Sequence, residues 1–257
     1  MMRILAARLH QGHRTTRYPR GEAPALPERF RGLPTVDAAR CGSAGACSQC
    51  ASICPVDAIE VAGKELRFDL GRCLFCTDCE RACPAGAIRM SGDYRLATRE
   101  RKDLLWTAGS EPLLLAQALG GKLRRLYGRS LRFREVSAGG CNACEADSNV
   151  LTTVGWDIGR FGIQFVASPR HADGLWVTGP VSRNMRLALE KTWEAVPEPR
   201  LLVAVGSCAI SGGPFRGHPE VSSGATDLLP VDLYVPGCPP HPLTILDGLL
   251  RLLGKMR

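Results

Sequence analysis

The sequence predicts an α/β protein in which a small cysteine-rich unit precedes a parallel sheet. Eight of the 12 cysteines fall between residues 41 and 83, in two tight runs that each end in Cys-Pro. From about residue 129, short β-rich runs alternate with helical stretches, as in a parallel sheet with crossover helices. Apolar residues make up 45% of the 257 residues, which is enough for a packed core.

Composition divides the chain into four segments. Residues 1–40 are rich in Pro and Arg and show no clear period, so we expect an extended basic arm that lies on another surface. Residues 41–92 hold the clustered cysteines and little else that could form a core. Residues 93–128 form a connector, and residues 129–257 form the sheet-containing domain.

The connector contains one predicted helix, EPLLLAQALGGKLRRLYG. Its apolar residues recur at helical spacing, and Gly128 is a plausible stop. The Gly-Gly pair at 120–121 weakens this helix or marks a bend. Such a helix could pack in the core between the two domains or lie against a membrane partner or the lipid surface.

Five runs of the second half are expected to be strands. They are LRFREV, IQFVAS, GLWVTG, LLVAVG and VDLYVPG. A final helix, PLTILDGLLRLLGK, follows them. The carboxyl ends of parallel strands share one edge of a sheet, and ligands bind in the crevice there.

The eight-cysteine block resembles a bacterial-type ferredoxin over residues 41–90. Its second run, CLFCTDCERACP, has the spacing in which the fourth cysteine ligates the other cluster. This assigns one [4Fe-4S] cluster to Cys41, Cys47, Cys50 and Cys83, and the other to Cys73, Cys76, Cys79 and Cys54. The first run departs from the pattern by a three-residue insertion in the small, flexible loop GSAGA. Zinc is the alternative ligand of CxxC pairs.

Four further cysteines follow predicted strands, in loops rich in Gly and Pro. Cys141 and Cys144 lie in GGCNACEAD after LRFREV, Cys208 follows LLVAVG, and Cys238 follows VDLYV. Because these loops share one edge of the sheet, we expect the four thiols to bind a third [4Fe-4S] cluster. Buried structural cysteines or a zinc site are the alternatives.

Residues 129–254 resemble the small, cluster-bearing subunit of energy-converting [NiFe] hydrogenases and formate hydrogenlyase, and the 20-kDa B subunit of complex I. The matching pieces are GGCNACE, RFGIQFVASPRHADGLWVTGPVSRNM, VGSCAISGGPF and PVDLYVPGCPPHP. The resemblance implies a flavodoxin-like sheet whose cluster is held by the four cysteines above. Complex I B subunits have adjacent cysteines at the first motif, whereas Cys-Asn-Ala-Cys is the hydrogenase-like form. The first half, including TRYPRGEAPALPERFRGLPTVD, resembles the accompanying ferredoxin subunit, so the chain reads as a fusion of two subunits.

The resemblance draws attention to four more side chains. Glu145 is either a carboxylate that helps positioning or proton movement at the cluster, or a first-turn acid that favours the helix dipole. Arg170, His171 and Asp173 in SPRHADG are expected to tie loops and a subunit contact together. Asp173 would pin its strand, and a titrating role for His171 is the less favoured alternative.

Charge and targeting signals limit where in the cell the protein is expected and what it could bind. The net charge of +8 comes from residues 1–40 and 95–135, a basic surface for an acidic partner, lipid or nucleic acid. No run approaches the roughly 18 apolar residues of a spanning helix. The first 20 residues lack a secretory signal, although their Arg-rich composition leaves a mitochondrial transit peptide open.

The resemblance implies an electron-transfer subunit of an oxidoreductase complex, with no bond-making site of its own. Its partners would be a large catalytic subunit, either [NiFe] or complex I-like, membrane subunits and an electron-donor protein, on the cytoplasmic side of the cell membrane. Nucleic acid is not expected. The alternatives are a complex I-like module whose partner lacks nickel, a zinc-stapled nucleic-acid-binding protein and a free-standing ferredoxin.

Overall fold

The first 40 residues contain a helix and a short strand rather than one extended arm. The computed structural model describes residues 2–12, 14–41, 47–62, 65–109 and 112–256, so the loop GSAGA lies outside the described residues. Helix α1 spans Met2–Gln11 and strand β1 spans Pro34–Val36. The prediction of an extended arm is therefore wrong for α1, because MRILAARLHQ consists largely of strong helix formers and has no Gly or Pro.

The cysteine-rich unit is a small α+β arrangement, as expected. Two short helices carry cysteines, and four strands surround them: α2 (Gln49–Ser52), β2 (Ile59–Ala62), β3 (Glu65–Asp69), α3 (Asp78–Ala82), β4 (Ile88–Met90) and β5 (Leu105–Thr107). Strand β4 pairs antiparallel with β1, and β2, β3 and β5 form a second antiparallel sheet. The arm thus contributes a strand to the cysteine-rich unit.

The predicted connector helix is wrong in its first half. Helix α4 covers only Gly121–Tyr127, with Gly120 as its N-cap residue, so the Gly-Gly pair marks the start of the helix. Upstream, the Ala116 amide donates to the Ala97 carbonyl, and the Leu119 amide donates to the Leu252 carbonyl. Tertiary contacts satisfy these donors in place of helical hydrogen bonds. Both side chains are buried in the core, which favours the core placement of this segment over the lipid surface.

A five-stranded parallel sheet forms the second half of the described chain. Its elements are β6 (Leu131–Ser137), α5 (Ala143–Val150), β7 (Ile163–Phe165), β8 (Gly174–Thr178), α6 (Arg183–Ala195), β9 (Leu201–Val205), α7 (Ser207–Ser211), β10 (Leu233–Val235) and α8 (Pro242–Leu252). The strand order is β10-β9-β8-β6-β7, with every pair parallel. This order is flavodoxin-like, and the predicted fold is confirmed.

Both faces of the sheet are covered. Every residue of β8 and β9 is buried, as expected for parallel strands between two helical layers. Trp176 at the centre of β8 is fully buried, and its indole N–H donates to Ser148 Oγ at 2.9 Å. None of the helices in the described ranges has the length and apolar character that crossing a bilayer requires.

The cysteine-rich unit packs directly on the parallel sheet. One cluster of buried side chains includes Phe68 and Leu70 from the first unit with Val177 and Leu202 from the sheet. Polar contacts reinforce the junction, since Ser211 Oγ donates to the Gly71 carbonyl at 3.0 Å. The two halves therefore share a core and hold the cysteines of one near those of the other.

The arm is fastened to the second half through Tyr18. The Tyr18 hydroxyl donates to Asp247 Oδ1 at 2.8 Å, and Arg251 Nε donates to Asp247 Oδ2 at 2.8 Å. Asp247 is fully buried in α8 and Tyr18 is 4% exposed. Arg160 adds a hydrogen bond to the Tyr18 carbonyl at 2.8 Å. The expectation that the arm lies on another surface therefore holds for this stretch, and that surface belongs to the same chain.

Replacing Asp247 with alanine is expected to destabilise the fold far more than replacing Tyr18 with phenylalanine. Asp247→Ala leaves the Arg251 guanidinium without its buried carboxylate, at a cost of about 3–5 kcal/mol. Tyr18→Phe removes one hydrogen bond, at a cost of about 1 kcal/mol. Urea unfolding under anaerobic conditions, followed by circular dichroism, measures both. Equal losses in the two variants would contradict this account of the contact.

Candidate functional site

The first loop of the candidate site connects β6 to α5. Cys141 is exposed in this loop, whereas Cys144 lies in the first turn of α5 and is half-buried. Asn142 between them has left-handed backbone angles, φ 71° and ψ 4°. The same geometry occurs in the cysteine-rich unit at Thr77, between Cys76 and Cys79, with φ 70° and ψ 7°. The two Cys-x-x-Cys turns therefore share one backbone solution, which starts a short helix at the second residue after the first cysteine.

The loops after β9 and β10 close on this turn. Cys208 lies in α7, directly after β9, and Cys238 follows β10. The Ser207 amide donates to the Gly237 carbonyl at 2.9 Å, which joins the two loops. Gly206 lies against the first loop, because a Cβ atom there would be 2.5 Å from Cys144 Sγ. The positive φ of 87° at Gly206 also favours glycine.

Burial and the charges of neighbouring thiols in these loops raise the pKa values of Cys144, Cys208 and Cys238. Burial raises the pKa of Cys208 to about 11, and the charges of Cys238 and Cys141 contribute next. Burial also raises the pKa of Cys144, followed by the charge of Cys208. Four thiols crowded in this way need positive charge nearby to ionise together, which bound iron supplies. The donor set consists only of cysteine, the ligand of [4Fe-4S] clusters, so these residues fit such a group.

The eight N-terminal cysteines form two neighbouring groups. In one, burial raises the pKa of Cys73 to about 12 and of Cys79 to about 11, and the charge of Cys54 adds to both. In the other, burial and then the charges of Cys83 and Cys47 raise the pKa of Cys41. The charge of Cys54 thus acts on the second run and the charge of Cys83 on the first, and the crossed ligand assignment stays a prediction.

Backbone amides point at several of these sulfur atoms. The amides of Ala58, Phe75 and Ala87 donate to the Sγ atoms of Cys54, Cys73 and Cys83, at 3.2, 3.3 and 3.3 Å. Burial raises the pKa of Cys83, but amide donors led by Ala87 outweigh it and lower the pKa overall. Hydrogen bonds to sulfur stabilise thiolates, which is the form that binds iron.

The crevice of the parallel sheet lies next to the second N-terminal group. Partial burial raises the pKa of Cys238, and the charges of Cys141 and then Cys76 raise it further. Ser207 Oγ donates to the Cys73 carbonyl at 2.6 Å, so the residue before Cys208 holds the backbone of a cysteine in the other unit. Cys50 likewise raises the pKa of Cys79 after burial, Cys76 and Cys54. Ser207 thus links the crevice to the second N-terminal group, and the charge of Cys50 links that group electrostatically to the first.

A cavity of about 330 Å³ opens beside Cys238, between the arm and the loop after β10. Arg29, Phe30 and His241 are among its lining residues. His241 stands edge-on to Phe30, and burial lowers its pKa, so it is neutral near pH 7. His241 Nδ1 accepts a hydrogen bond from the Leu243 amide at 3.1 Å, which leaves the proton on Nε2. The arm thus contributes a wall to the surroundings of the crevice, a role that its composition did not indicate.

Glu145 points inward and is held by two hydroxyls. It is 7% exposed, and its Oε1 accepts hydrogen bonds from Thr178 Oγ1 at 2.7 Å and from Ser137 Oγ. A solvated first-turn acid would not be buried in this way, so the positioning alternative fits the geometry better. The sequence does not single out Glu135 on β6, because a glutamate at this place in LRFREVS resembles an ordinary surface residue. Its Oε1 is buried with no hydrogen-bond partner among the described residues.

The pKa of Glu135 is raised to about 7 by burial and then by the charge of Glu145. In the unfolded chain its pKa returns to the ordinary value of 4.5. Between these values the folded state binds more protons, so the free energy of unfolding is expected to fall as the pH rises through about 7. The loss is about 2 kcal/mol once solvent screening is allowed for.

Glu135→Gln is expected to flatten this pH dependence and to stabilise the protein above pH 7. Urea unfolding between about pH 5 and about pH 8 measures it. Glu60→Gln, at an exposed position of β2, is the matched control and should leave the profile unchanged. A wild-type profile that rises over this range would contradict the burial of the Glu135 carboxylate.

The SPRHADG motif lies at the entry of β8 rather than at the crevice. Asp173 Oδ2 accepts the Arg132 amide at 2.7 Å, and the Asp173 amide donates to the Arg132 carbonyl at 2.7 Å. Asp173 therefore pins the start of β8 to β6, as expected. Arg170 and His171 lie in a turn before β8, and both are exposed. His171 lies at the opposite end of β8 from the loops that carry the cysteines, which disfavours a titrating role there.

A flavodoxin-like sheet with a cysteine crevice, joined to an eight-cysteine unit, defines an iron–sulfur protein. Residues 22–87 match the 4Fe-4S dicluster domain, and residues 141–252 match the family NADH ubiquinone oxidoreductase, 20 Kd subunit. The chain belongs to this 20-kDa subunit family, with a dicluster domain preceding the family domain.

Relatives of the second half are subunits of oxidoreductase complexes. The chain is 38% identical to the probable membrane-bound hydrogenase subunit mbhJ of Pyrococcus furiosus, over 52% of this chain and 81% of the relative. It is 42% identical to formate hydrogenlyase subunit 7 of Escherichia coli, over 50% of each chain. It is 43% identical to the B subunit of the NADH-quinone oxidoreductase of Desulfovibrio desulfuricans, over 44% of this chain and 61% of the relative. The chain thus spans half to four-fifths of these relatives.

Proposed function

We propose that this chain is an electron-transfer subunit with three [4Fe-4S] clusters, which relays electrons between a donor and the large catalytic subunit of a membrane-bound hydrogenase or formate hydrogenlyase-type complex. The observation that carries the proposal is the hydrogen bond from Ser207 Oγ, beside Cys208, to the carbonyl of Cys73 at 2.6 Å, which joins the crevice of the parallel sheet to the cysteine-rich unit. Bound clusters supply one-electron transfer, and the chain's own residues hold them close together and shielded from water.

The proposed ligand sets follow the three groups of thiols. Each set contains four cysteines: Cys41, Cys47, Cys50 and Cys83 in the first, Cys73, Cys76, Cys79 and Cys54 in the second, and Cys141, Cys144, Cys208 and Cys238 in the third. The proposed domains are residues 41–92 and residues 129–257, with the arm and the connector fastening them together. Glu145 orients the loop of the third set through Ser137 and Thr178.

The partners follow from the relatives, which are subunits of complexes. We propose a large catalytic subunit at the crevice of the parallel sheet, where Cys141 and Cys238 are exposed. The electron-donor protein docks on the cysteine-rich unit, and membrane subunits complete the complex on the cytoplasmic side of the cell membrane. Nucleic acid is not among the proposed partners.

A complex I-like module, whose partner lacks nickel, is the second candidate. The 43% identity to the B subunit of an NADH-quinone oxidoreductase favours it. Two residues separate Cys141 from Cys144. This spacing favours the hydrogenase branch, because the B subunits of complex I have two adjacent cysteines at the same motif.

Metal analysis of the native complex tests both candidates. The complex is purified without oxygen through a tag on this chain, and its iron and nickel are counted. Nickel with about 12 iron atoms per chain, plus any iron of the partner, is the expected result. The same iron without nickel would select the complex I-like module. Iron near eight atoms per chain would overturn the third cluster, and zinc without iron would overturn the relay altogether.

A further inference from the structure

Helix α1 presents an apolar stripe that nothing in the described chain covers. None of its residues is buried, and Met2, Leu5 and Leu9 are 84%, 59% and 84% exposed. At about 100° per residue, Met2, Leu5, Ala6 and Leu9 lie within about 100° of one another around the helix axis. Ile4 lies on the opposite side. Exposed apolar patches of this kind mark interaction surfaces, because apolar side chains that stay in water add no stability to the fold.

Basic side chains flank the stripe on both sides. Arg8 borders one edge, and Arg3 and His10 border the other. The first 21 residues contain five arginines and no acidic residue. Arginine side chains on the borders of an apolar stripe can extend their charged ends to lipid phosphates while the stripe enters the acyl boundary.

We propose that α1 lies in the membrane interface and binds anionic phospholipid directly. The apolar stripe and its basic borders match the two parts of a lipid surface, acyl chains and negative headgroups. A protein partner would need acidic residues on both sides of its apolar groove to match Arg3 and Arg8. An anionic lipid surface presents negative headgroups on both sides of the stripe without such a special arrangement. This inference does not depend on the proposed relay, because it concerns a segment without cysteines.

The segment after α1 is hydrogen-bonded to the second half of the chain. The Thr16 amide donates to the Gly155 carbonyl at 2.9 Å, and Thr15 Oγ1 donates to the Val154 carbonyl at 2.8 Å. Val154 is itself 70% exposed. A lipid-bound α1 is therefore tied within a few residues to the turn after α5, the helix that carries Cys144. The helix would hold the parallel sheet near the membrane surface without a spanning segment.

Vesicle flotation with the full chain, loaded with its iron, tests the proposal. The vesicles are phosphatidylcholine, with or without a minority of phosphatidylglycerol. Wild type is expected to float with the anionic vesicles only and to be released by salt. Leu5→Gln/Leu9→Gln is expected to lower the partition coefficient at least about tenfold, because two apolar side chains leave the acyl boundary. Arg3→Gln/Arg8→Gln is expected to lower it about 25-fold.

Ile4→Gln is the matched control for the stripe. It removes an apolar side chain that is 73% exposed, without a change of charge, and is expected to lower binding less than about twofold. Iron content and visible absorbance should be wild-type in all variants, because these side chains make no buried contact. Equal losses of binding for Ile4→Gln and for Leu5→Gln/Leu9→Gln would overturn the proposal. The proposal would also be overturned if the wild-type protein failed to float with anionic vesicles. If Leu5→Gln/Leu9→Gln then weakened assembly with a protein subunit, the stripe would be a protein-binding surface.

Discussion

Cys238→Ala is expected to abolish electron delivery to the catalytic partner while leaving the two N-terminal clusters in place. Cys238 is one of four thiols in the crevice, and three remaining thiolates from two loops hold a cluster poorly. Iron should fall from about 12 to about eight atoms per chain. Low-temperature electron paramagnetic resonance of the reduced protein should lose one signal, and, under the proposed relay, electron transfer through the assembled complex should stop.

The matched variant for this prediction is Cys83→Ala, which removes a proposed ligand of the first cluster. It should lower iron by a similar amount but remove a different signal, because Cys83 lies beside Cys41 and away from the crevice. If both variants lost the same signal, the assignment of ligands to three separate sites would fail. Full activity in Cys238→Ala would remove the third cluster from the relay.

Gly206→Ala is expected to disrupt the third site without a change to any cysteine. The added Cβ would be 2.5 Å from Cys144 Sγ, closer than any normal contact, so the thiol must move out of its position. Gly206 has φ 87° and ψ 156°, a region of backbone angles that is essentially restricted to glycine, so alanine adds about 1–3 kcal/mol of backbone strain. Iron content and the resonance signals should change as they do in Cys238→Ala, with the N-terminal clusters retained.

Gly217→Ala separates the clash from the backbone strain. Gly217 has a similar φ of 82°, but a Cβ atom there would have no neighbour within 4 Å. This variant also places alanine at a positive φ, and it should keep its full iron content. Equal iron loss in both variants would show that backbone strain, rather than the contact with Cys144, disturbs the site.

Much of the fold could be predicted because it depends on local patterns. The five β-rich runs are strands β6–β10, and the final apolar helix is α8. Two of the Cys-x-x-Cys turns share a local geometry, since Thr77 and Asn142 adopt the same left-handed conformation, whereas Ser48 between Cys47 and Cys50 has a φ of −119°. The cysteine positions after β6, β9 and β10 predicted a shared edge, which the parallel order confirms. The clusters at these positions remain predictions.

Features that depend on distant contacts could not be predicted in the same way. The segment before Gly120 has the apolar spacing of a helix, yet two of its amides donate to the carbonyls of Ala97 and Leu252. These two acceptors lie far from each other in the sequence. Glu135 looks like a surface position until β7 and β8 flank its strand on both sides. The prolines and arginines around Arg29 gave no sign that the arm would wall a cavity beside Cys238.

The sequence by itself indicated which cysteines are candidate iron ligands, where the five strands of the parallel sheet lie, and that two cysteine-bearing units share one chain. Spacing and periodicity act over a few residues, and the backbone responds to them locally. Only the tertiary structure decided that Ser207 holds the Cys73 carbonyl and that no residue of α1 is buried. These relations arise because burying apolar surface between the two units selects one packing, and the sequence pattern carries no direct record of it.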